Sequence, residues 1–108
     1  MYLPQIDVCE RADEVVILVE MPGVERSDVA IAWKEPILTI SGQKRQQPDH
    51  SNARYMCVER SYGSFRRDIA IGIPIDYRKA RAELKNGLMK IHLPKIPTEN
   101  LNDTIPIE

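Results

Sequence analysis

Ala80-Arg81-Ala82-Glu83-Leu84-Lys85-Asn86-Gly87-Leu88-Met89-Lys90-Ile91-His92-Leu93 is the stretch on which the fold turns. Two alternating runs flank Asn86-Gly87, and both of these residues tolerate the positive φ that a two-residue hairpin demands. The turn sets the register. Lys85 faces Leu88, Leu84 faces Met89, Glu83 faces Lys90, Ala82 faces Ile91, Arg81 faces His92 and Ala80 faces Leu93. One face then carries Ala80, Ala82, Leu84, Met89, Ile91 and Leu93. The other is mostly charged, and Glu83 across from Lys90 is the kind of pair that contributes about 0.2–1 kcal/mol. A slip of one residue would turn Leu84 and Ile91 into water, so the register is strongly specified.

The same period recurs along the chain in short runs. Val15-Val16-Ile17-Leu18-Val19 is β-branched and too short for a helix, and Met21-Pro22-Gly23 ends it. Its unbroken apolarity predicts a central strand. Ahead of it, Ile6 and Val8 share one face of a half-exposed strand. Glu25-Arg26-Ser27-Asp28 reads as one helical turn or a tight loop. Val29, Ile31 and Trp33 then alternate with Ala30, Ala32 and Lys34 until Pro36. Further strands are predicted over residues 37–41, 55–58 and 64–71. Residues 43–52 are polar throughout and predict a mobile loop, spanning about 43–54. Ile73-Pro74-Ile75 reads as a rigid connector with core isoleucines. Seven to eight short strands with no helix longer than a turn predict an all-β antiparallel sandwich.

The 108 residues suit one domain, here residues 1–97, followed by an extension over 98–108. Fifteen basic residues against 16 acidic ones give no general attraction to phosphate, so nucleic acid is not an expected partner. No apolar run approaches the ~20 residues of a membrane span, and Met1-Tyr2-Leu3-Pro4 does not read as a signal peptide. A cytoplasmic setting is expected. Cys9 and Cys57 form neither a redox pair nor a zinc set, and are expected as two half-buried thiols.

The chemistry of an enzyme is missing. There is no GxSxG, no HExxH and no phosphate-binding glycine loop among five scattered glycines. His50 lies in the polar loop, and His92 on the charged face of the hairpin is expected to be solvated. Arg60, Arg66 and Arg67 alternate with Glu59 and Asp68, as in an ion-pair network rather than a phosphate track. No cofactor and no metal are expected.

Ile105-Pro106-Ile107 near the C-terminus does ask for an explanation. Residues two apart in an extended segment point the same way. The two isoleucines suit neighbouring pockets at a sheet edge, with Pro106 holding the backbone extended. Burying both contributes roughly 3–6 kcal/mol before ordering costs, enough for a reversible clip.

Read in order, Val16 to Gly23, Ile37-Leu38-Thr39-Ile40-Ser41-Gly42, Glu59-Arg60-Ser61-Tyr62-Gly63-Ser64-Phe65-Arg66-Arg67, the Asn86-Gly87 hairpin with Pro94-Lys95, and the terminal Ile105-Pro106-Ile107 resemble the α-crystallin domain of small heat-shock proteins of the bacterial and plant type. The resemblance covers nearly the whole chain. Tyr55 stands where plant members often carry Trp. The resemblance implies an immunoglobulin-like sandwich and an ATP-independent holdase that binds partly unfolded proteins. It implies a homodimer in which Tyr55, Met56, Cys57 and Val58 pair with the partner's strand near Ile6 and Val8, supported by ion pairs of Arg67. It also implies that Ile105, Pro106 and Ile107 dock in a groove formed by Val29, Ile31, Trp33, Ala82 and Leu84, building higher oligomers. An adaptor of the CS-domain type is a rival, but such domains lack the clip and usually end in an acidic tail. An immunoglobulin-like adhesion domain is a second, disfavoured by the missing signal peptide.

Overall fold

A computed structural model describes residues 2–46, 54–97 and 105–107. Its strands are β1 (Ile6–Glu10), β2 (Glu14–Glu20), β3 (Val29–Lys34), β4 (Ile37–Lys44), β5 (Gly63–Ala70), β6 (Arg81–Lys85) and β7 (Leu88–Pro94). Single 3-10 turns at Arg26–Asp28 and Tyr77–Lys79 lead into β3 and β6. The strands form two antiparallel sheets, a four-stranded one ordered β1-β2-β7-β6 and a three-stranded one ordered β3-β4-β5. This is the expected all-β sandwich, with seven strands among the described residues.

Period-2 alternation builds the core. Val15, Ile17 and Val19 of β2 and Met89, Ile91 and Leu93 of β7 face Leu38 and Ile40 of β4 and Phe65 and Ile69 of β5, all buried. Each such side chain contributes roughly 1.5–3 kcal/mol by leaving water. The β2 run is unbroken because Val16 is buried too, on the outer face beside Cys9 and His92. The hairpin register is the predicted one from Arg81↔His92 to Lys85↔Leu88, although Ala80 falls just outside β6. Asn86 and Gly87 both have positive φ, and the Gly87 carbonyl accepts from the Met21 N–H at 2.8 Å. Ile75 is buried and Ile73 packs against the core, as expected of the connector.

Two boundaries are corrected. β4 runs on to Lys44, so Gln43 and Lys44 belong to a strand rather than to the polar loop. Residues 47–53, where the rest of that loop and His50 fall, lie outside the described residues, as do residues 98–104. The second correction concerns residues 55–58, which form no strand. A strand needs a neighbour for its N–H and C=O groups, and this segment pairs with none of the seven.

Gly42 is a matter of space. A Cβ there would collide with the Asp28 carbonyl oxygen and stand 2.8 Å from Phe65 Cζ. Phe65, its partner across the β4–β5 ladder, fills the missing side chain's place.

Candidate functional site

Two sheets stacked face to face leave two lateral openings. At one, β3 lies over β6. The inward residues of β3 are Val29, Ile31 and Trp33, aligned with Gly42, Ile40 and Leu38. Those of β6 are Ala82 and Leu84, aligned with Ile91 and Met89. Ala80 and Ala82 end at Cβ, so β6 does not reach across to β3. An apolar groove of about 250 Å³ remains. Ile31 and Trp33 form one wall, and Ala80, Arg81 and Ala82 the other. Leu38, Ile91 and Leu93 form the floor, and the exposed Tyr77 completes the lining.

Ile31, Trp33 and Ala82 are thus brought together in the groove. Val29 and Leu84 share its inward face and lie outside its lining, half-buried against the core as Trp33 also is. Sequence reasoning missed Tyr77 and Arg81 as lining residues. Tyr77 sits in a 3-10 turn, outside any alternation that would have flagged it. The hairpin register puts Ala80 on the right face, and its small size is the available signal.

The opposite opening, beside β5, is closed by the chain entering β1. Tyr2 stands edge-on to Phe65, with ring centroids 5.6 Å apart, and Lys44 Nζ lies 4.5 Å above the Tyr2 ring. The Tyr2 hydroxyl donates to the Glu20 carbonyl at 3.0 Å. Burial, with the Glu20 carboxylate nearby, pushes that hydroxyl above its usual pKa. Pro4 is fully buried, and Arg67 Nη1 donates to its carbonyl at 2.8 Å. Arg67 aligns with the buried Ile40, so it lies on the inner face of β5, between Phe65 and Ile69. Within its own chain and among the described residues, Arg67 makes this hydrogen bond to backbone and no ion pair. Arg66 and Asp68, on the outer face, do form an ion pair at 3.2 Å. Asp68 is held below the usual carboxylate range by hydrogen bonds from Thr39 and then from Arg66.

At the edge of the larger sheet, β1 has β2 on one side only. Ile6 is half-buried and Val8 exposed, both on the inward face. Tyr55, Met56, Cys57 and Val58 are all exposed, Met56 by 95%. Ile105 and Ile107 are 84% and 99% exposed, so the chain's own tail does not fill its groove.

Two side-chain environments differ from expectation. Cys9 and Cys57 are exposed free thiols rather than half-buried ones, because Cys9 faces outward on an edge strand and Cys57 lies in the unpaired segment. His92 is shielded rather than solvated. Its ring is 13% exposed, with Nδ1 3.3 Å from Glu14 Oε1 and Nε2 3.8 Å from Glu83 Oε1. Glu14 at the start of β2 and Glu83 on β6 flank it across the ladder.

A larger cleft of about 750 Å³ near the start of β3 is polar, with Glu25, Ser27, Asp28, Lys44 and Arg45 in its walls. Arg45 pairs with Asp28 at 3.1 Å across it. It does not suit an apolar segment. Among the described residues, no group of three His, Cys, Asp or Glu could hold a metal ion, and no helix is long and apolar enough to cross a membrane.

This arrangement has relatives. A model of the Hsp20/alpha crystallin family matches residues 7–108. Heat shock protein 16 of Schizosaccharomyces pombe is 37% identical over 109 residues, covering 97% of this chain and 75% of the yeast protein. Small heat shock protein C2 of Rickettsia felis is 36% identical over 93 residues, covering 86% of this chain and 60% of that protein. The chain thus spans between about half and three quarters of the length of such relatives. Among solved structures, heat shock protein 16.0 of Schizosaccharomyces pombe superimposes with a TM-score of 0.86 at 34% identity, covering all of both chains. A small heat-shock protein from Xylella fastidiosa, described as having a distinct high order structure, gives 0.78 at 25% identity over 99% of this chain and 94% of that one. With sandwich, hairpin and matched sequence in agreement, the chain belongs to the Hsp20/alpha crystallin family of small heat-shock proteins, ATP-independent chaperones rather than enzymes.

Proposed function

We propose that this chain is an ATP-independent holdase domain that binds extended, partly unfolded segments along its apolar groove and its open β1 edge. The observation that carries the reading is the groove between β3 and β6, apolar and unfilled by the chain's own side chains. Exposed edges and apolar grooves accept extended chains through backbone pairing and alternate side chains. Such binding acts by mass action on the unfolded pool and needs no nucleotide.

Self-assembly uses the same surfaces. Residues 55–58 pair with β1 of a second copy near Ile6 and Val8, giving a homodimer. Their exposure and lack of an intrachain partner support this. Ile105, Pro106 and Ile107 then dock in the groove of a further copy and compete there with clients. Two unpaired, exposed thiols fit a reducing cytoplasm. The domain spans residues 1–97, and the clip is carried by 98–108.

The test is suppression of a thermally aggregating protein without ATP, followed by light scattering from sub-stoichiometric to equimolar ratios. Suppression by the full chain is expected, and a folded chain that leaves aggregation unchanged would overturn the reading. Deleting Ile105-Pro106-Ile107 should keep the dimer and abolish larger assemblies on sizing with light scattering.

A further inference from the structure

The inward face of β4 ends on a charge. Leu38, Ile40, Gly42 and Lys44 share one parity, and the first two belong to the core. Lys44 comes last, aligned with Gly63 of β5. It is 8% exposed, and among the described residues no other charged side chain is buried as far. A lysine is almost never buried to this degree without a counter-charge. Among the described residues, no carboxylate pairs with its ammonium. It has instead the face of the Tyr2 ring, 4.5 Å from Nζ. A ring face attracts the charge but is no oxygen acceptor, so N–H donors of the ammonium remain to be satisfied.

Two glycines make room around this side chain. A Cβ at Gly63 would meet nothing within 4 Å. Gly23, in the loop after β2, has a φ of +83°, and a Cβ there would stand 3.4 Å from Lys44 Cε and 3.9 Å from Arg60 Nη2. The heads of Lys44 and Arg60 therefore meet over a residue that puts no side chain between them. Arg60 is stacked in its turn on Tyr62, 5.3 Å from the ring centre. Gly23, Lys44, Tyr62 and Gly63 all line the polar cleft of about 750 Å³. The acids there leave this pair uncompensated. Asp28 is engaged by Arg45 at 3.1 Å. Glu25 is exposed, and Glu20 lies near the Tyr2 hydroxyl without pairing with Lys44.

We propose that Lys44 and Arg60 form an anion site at the Gly23 end of this cleft, and that its ligand is a phosphate group, free or at the end of a nucleoside diphosphate. A tetrahedral dianion presents oxygens in several directions, so one group can meet the ammonium of Lys44 and the planar fork of Arg60 together. A flat carboxylate presents its two oxygens to one side and suits one of the two cations. The aromatic faces under both cations hold them in place before the ligand arrives, which lowers the ordering cost of binding. The site lies apart from the groove between β3 and β6 and does not depend on docking there.

The test is phosphorus-31 line broadening of inorganic phosphate and of adenosine diphosphate, without divalent metal, titrated with the full chain at an ionic strength held constant with chloride. Two charge-assisted contacts predict half-saturation on the order of millimolar. Lys44→Met and Arg60→Gln should each weaken binding about ten-fold. Arg60→Lys, which keeps the charge without the fork, should recover part of the loss. Arg60 is exposed, so its variants should melt as the native chain does in chloride. Tighter binding of the diphosphate than of phosphate would support the site and identify a nucleotide as its source. Equal binding would support it with free phosphate as the ligand. Displacement of phosphate by acetate at equal concentration would make the cleft a carboxylate receptor and overturn the proposal. So would the absence of broadening at about 10 mM phosphate, or broadening that survives Arg60→Gln in a folded chain.

Discussion

The two lateral openings of the sandwich are built on the same architecture and have opposite fates. Beside β5, large and polar side chains meet in the gap: Tyr2 against Phe65, Lys44 over Tyr2, and Arg67 on the Pro4 carbonyl. Between β3 and β6, the small side chains of Ala80 and Ala82 leave it unfilled. Side-chain volume at a few inward edge positions decides whether an opening becomes a sealed flank or a receptor. The sealed flank contributes to stability, whereas the open one keeps apolar surface available at some cost to it.

That contrast can be broken from either side. The largest effect is expected at Gly42. Gly42→Ala drives a methyl into the Asp28 carbonyl and the Phe65 ring, and overpacking of this kind costs about 1–3 kcal/mol. A thermal melt should fall by several degrees, and an unchanged melting temperature would show that the sealed side has slack. Next is Arg67→Met, which removes the bond to Pro4 and leaves the carbonyl of this buried residue unpaired. A loss of about 1–2 kcal/mol is expected. Hydrogen exchange should rise in residues 2–5 and at Glu20, whose N–H donates to Gln5.

Ala82→Leu tests the open side. Filling the groove should change stability by less than about 1 kcal/mol, because the added methyls enter existing space. Assembly beyond the dimer should nevertheless disappear on sizing. Retained assembly would place the docking site elsewhere. The smallest effect lies away from both openings, at Asp68. Its folded pKa is lowered, so its bonds to Thr39 and Arg66 stabilise the fold above the unfolded carboxyl value of about 3.9. That contribution is lost as pH falls through the lower folded value. Wild type and Asp68→Asn should therefore differ in melting temperature near neutrality and converge in acid.

Much of this was legible in the chain, and the remainder was hidden for physical reasons. The hairpin register could be written in advance because Asn86-Gly87 and the alternation around it agree. Alternation also marked the inward residues of β3. It could equally have marked Arg67, which shares parity with Phe65, Ile69 and Ile71, but its charged neighbours Arg66 and Asp68 suggested a single outward network. What filled the space beside it was not legible, because Tyr2 and Pro4 reach β5 from more than sixty residues away. Val29 and Leu84 have the right parity as well, and only packing shows that the slot lined by Ile31, Trp33 and Ala82 does not extend to them. Residues 55–58 have strand composition without a strand, because a strand needs a neighbour for its backbone groups and none of the seven strands pairs with this segment.

The turn at Asn86-Gly87 has a practical consequence for anyone who wishes to attach a probe. Hairpin tips are the usual first choice for a label or an inserted tag. Here the Gly87 carbonyl is bonded to Met21, and a Cβ at Gly87 would stand 3.0 Å from Pro22 Cα, so the tip is wedged against the loop after β2. Gly72, where an added Cβ meets nothing within 4 Å, is the better anchor for a dye or cross-linker meant to report on the protein without disturbing it.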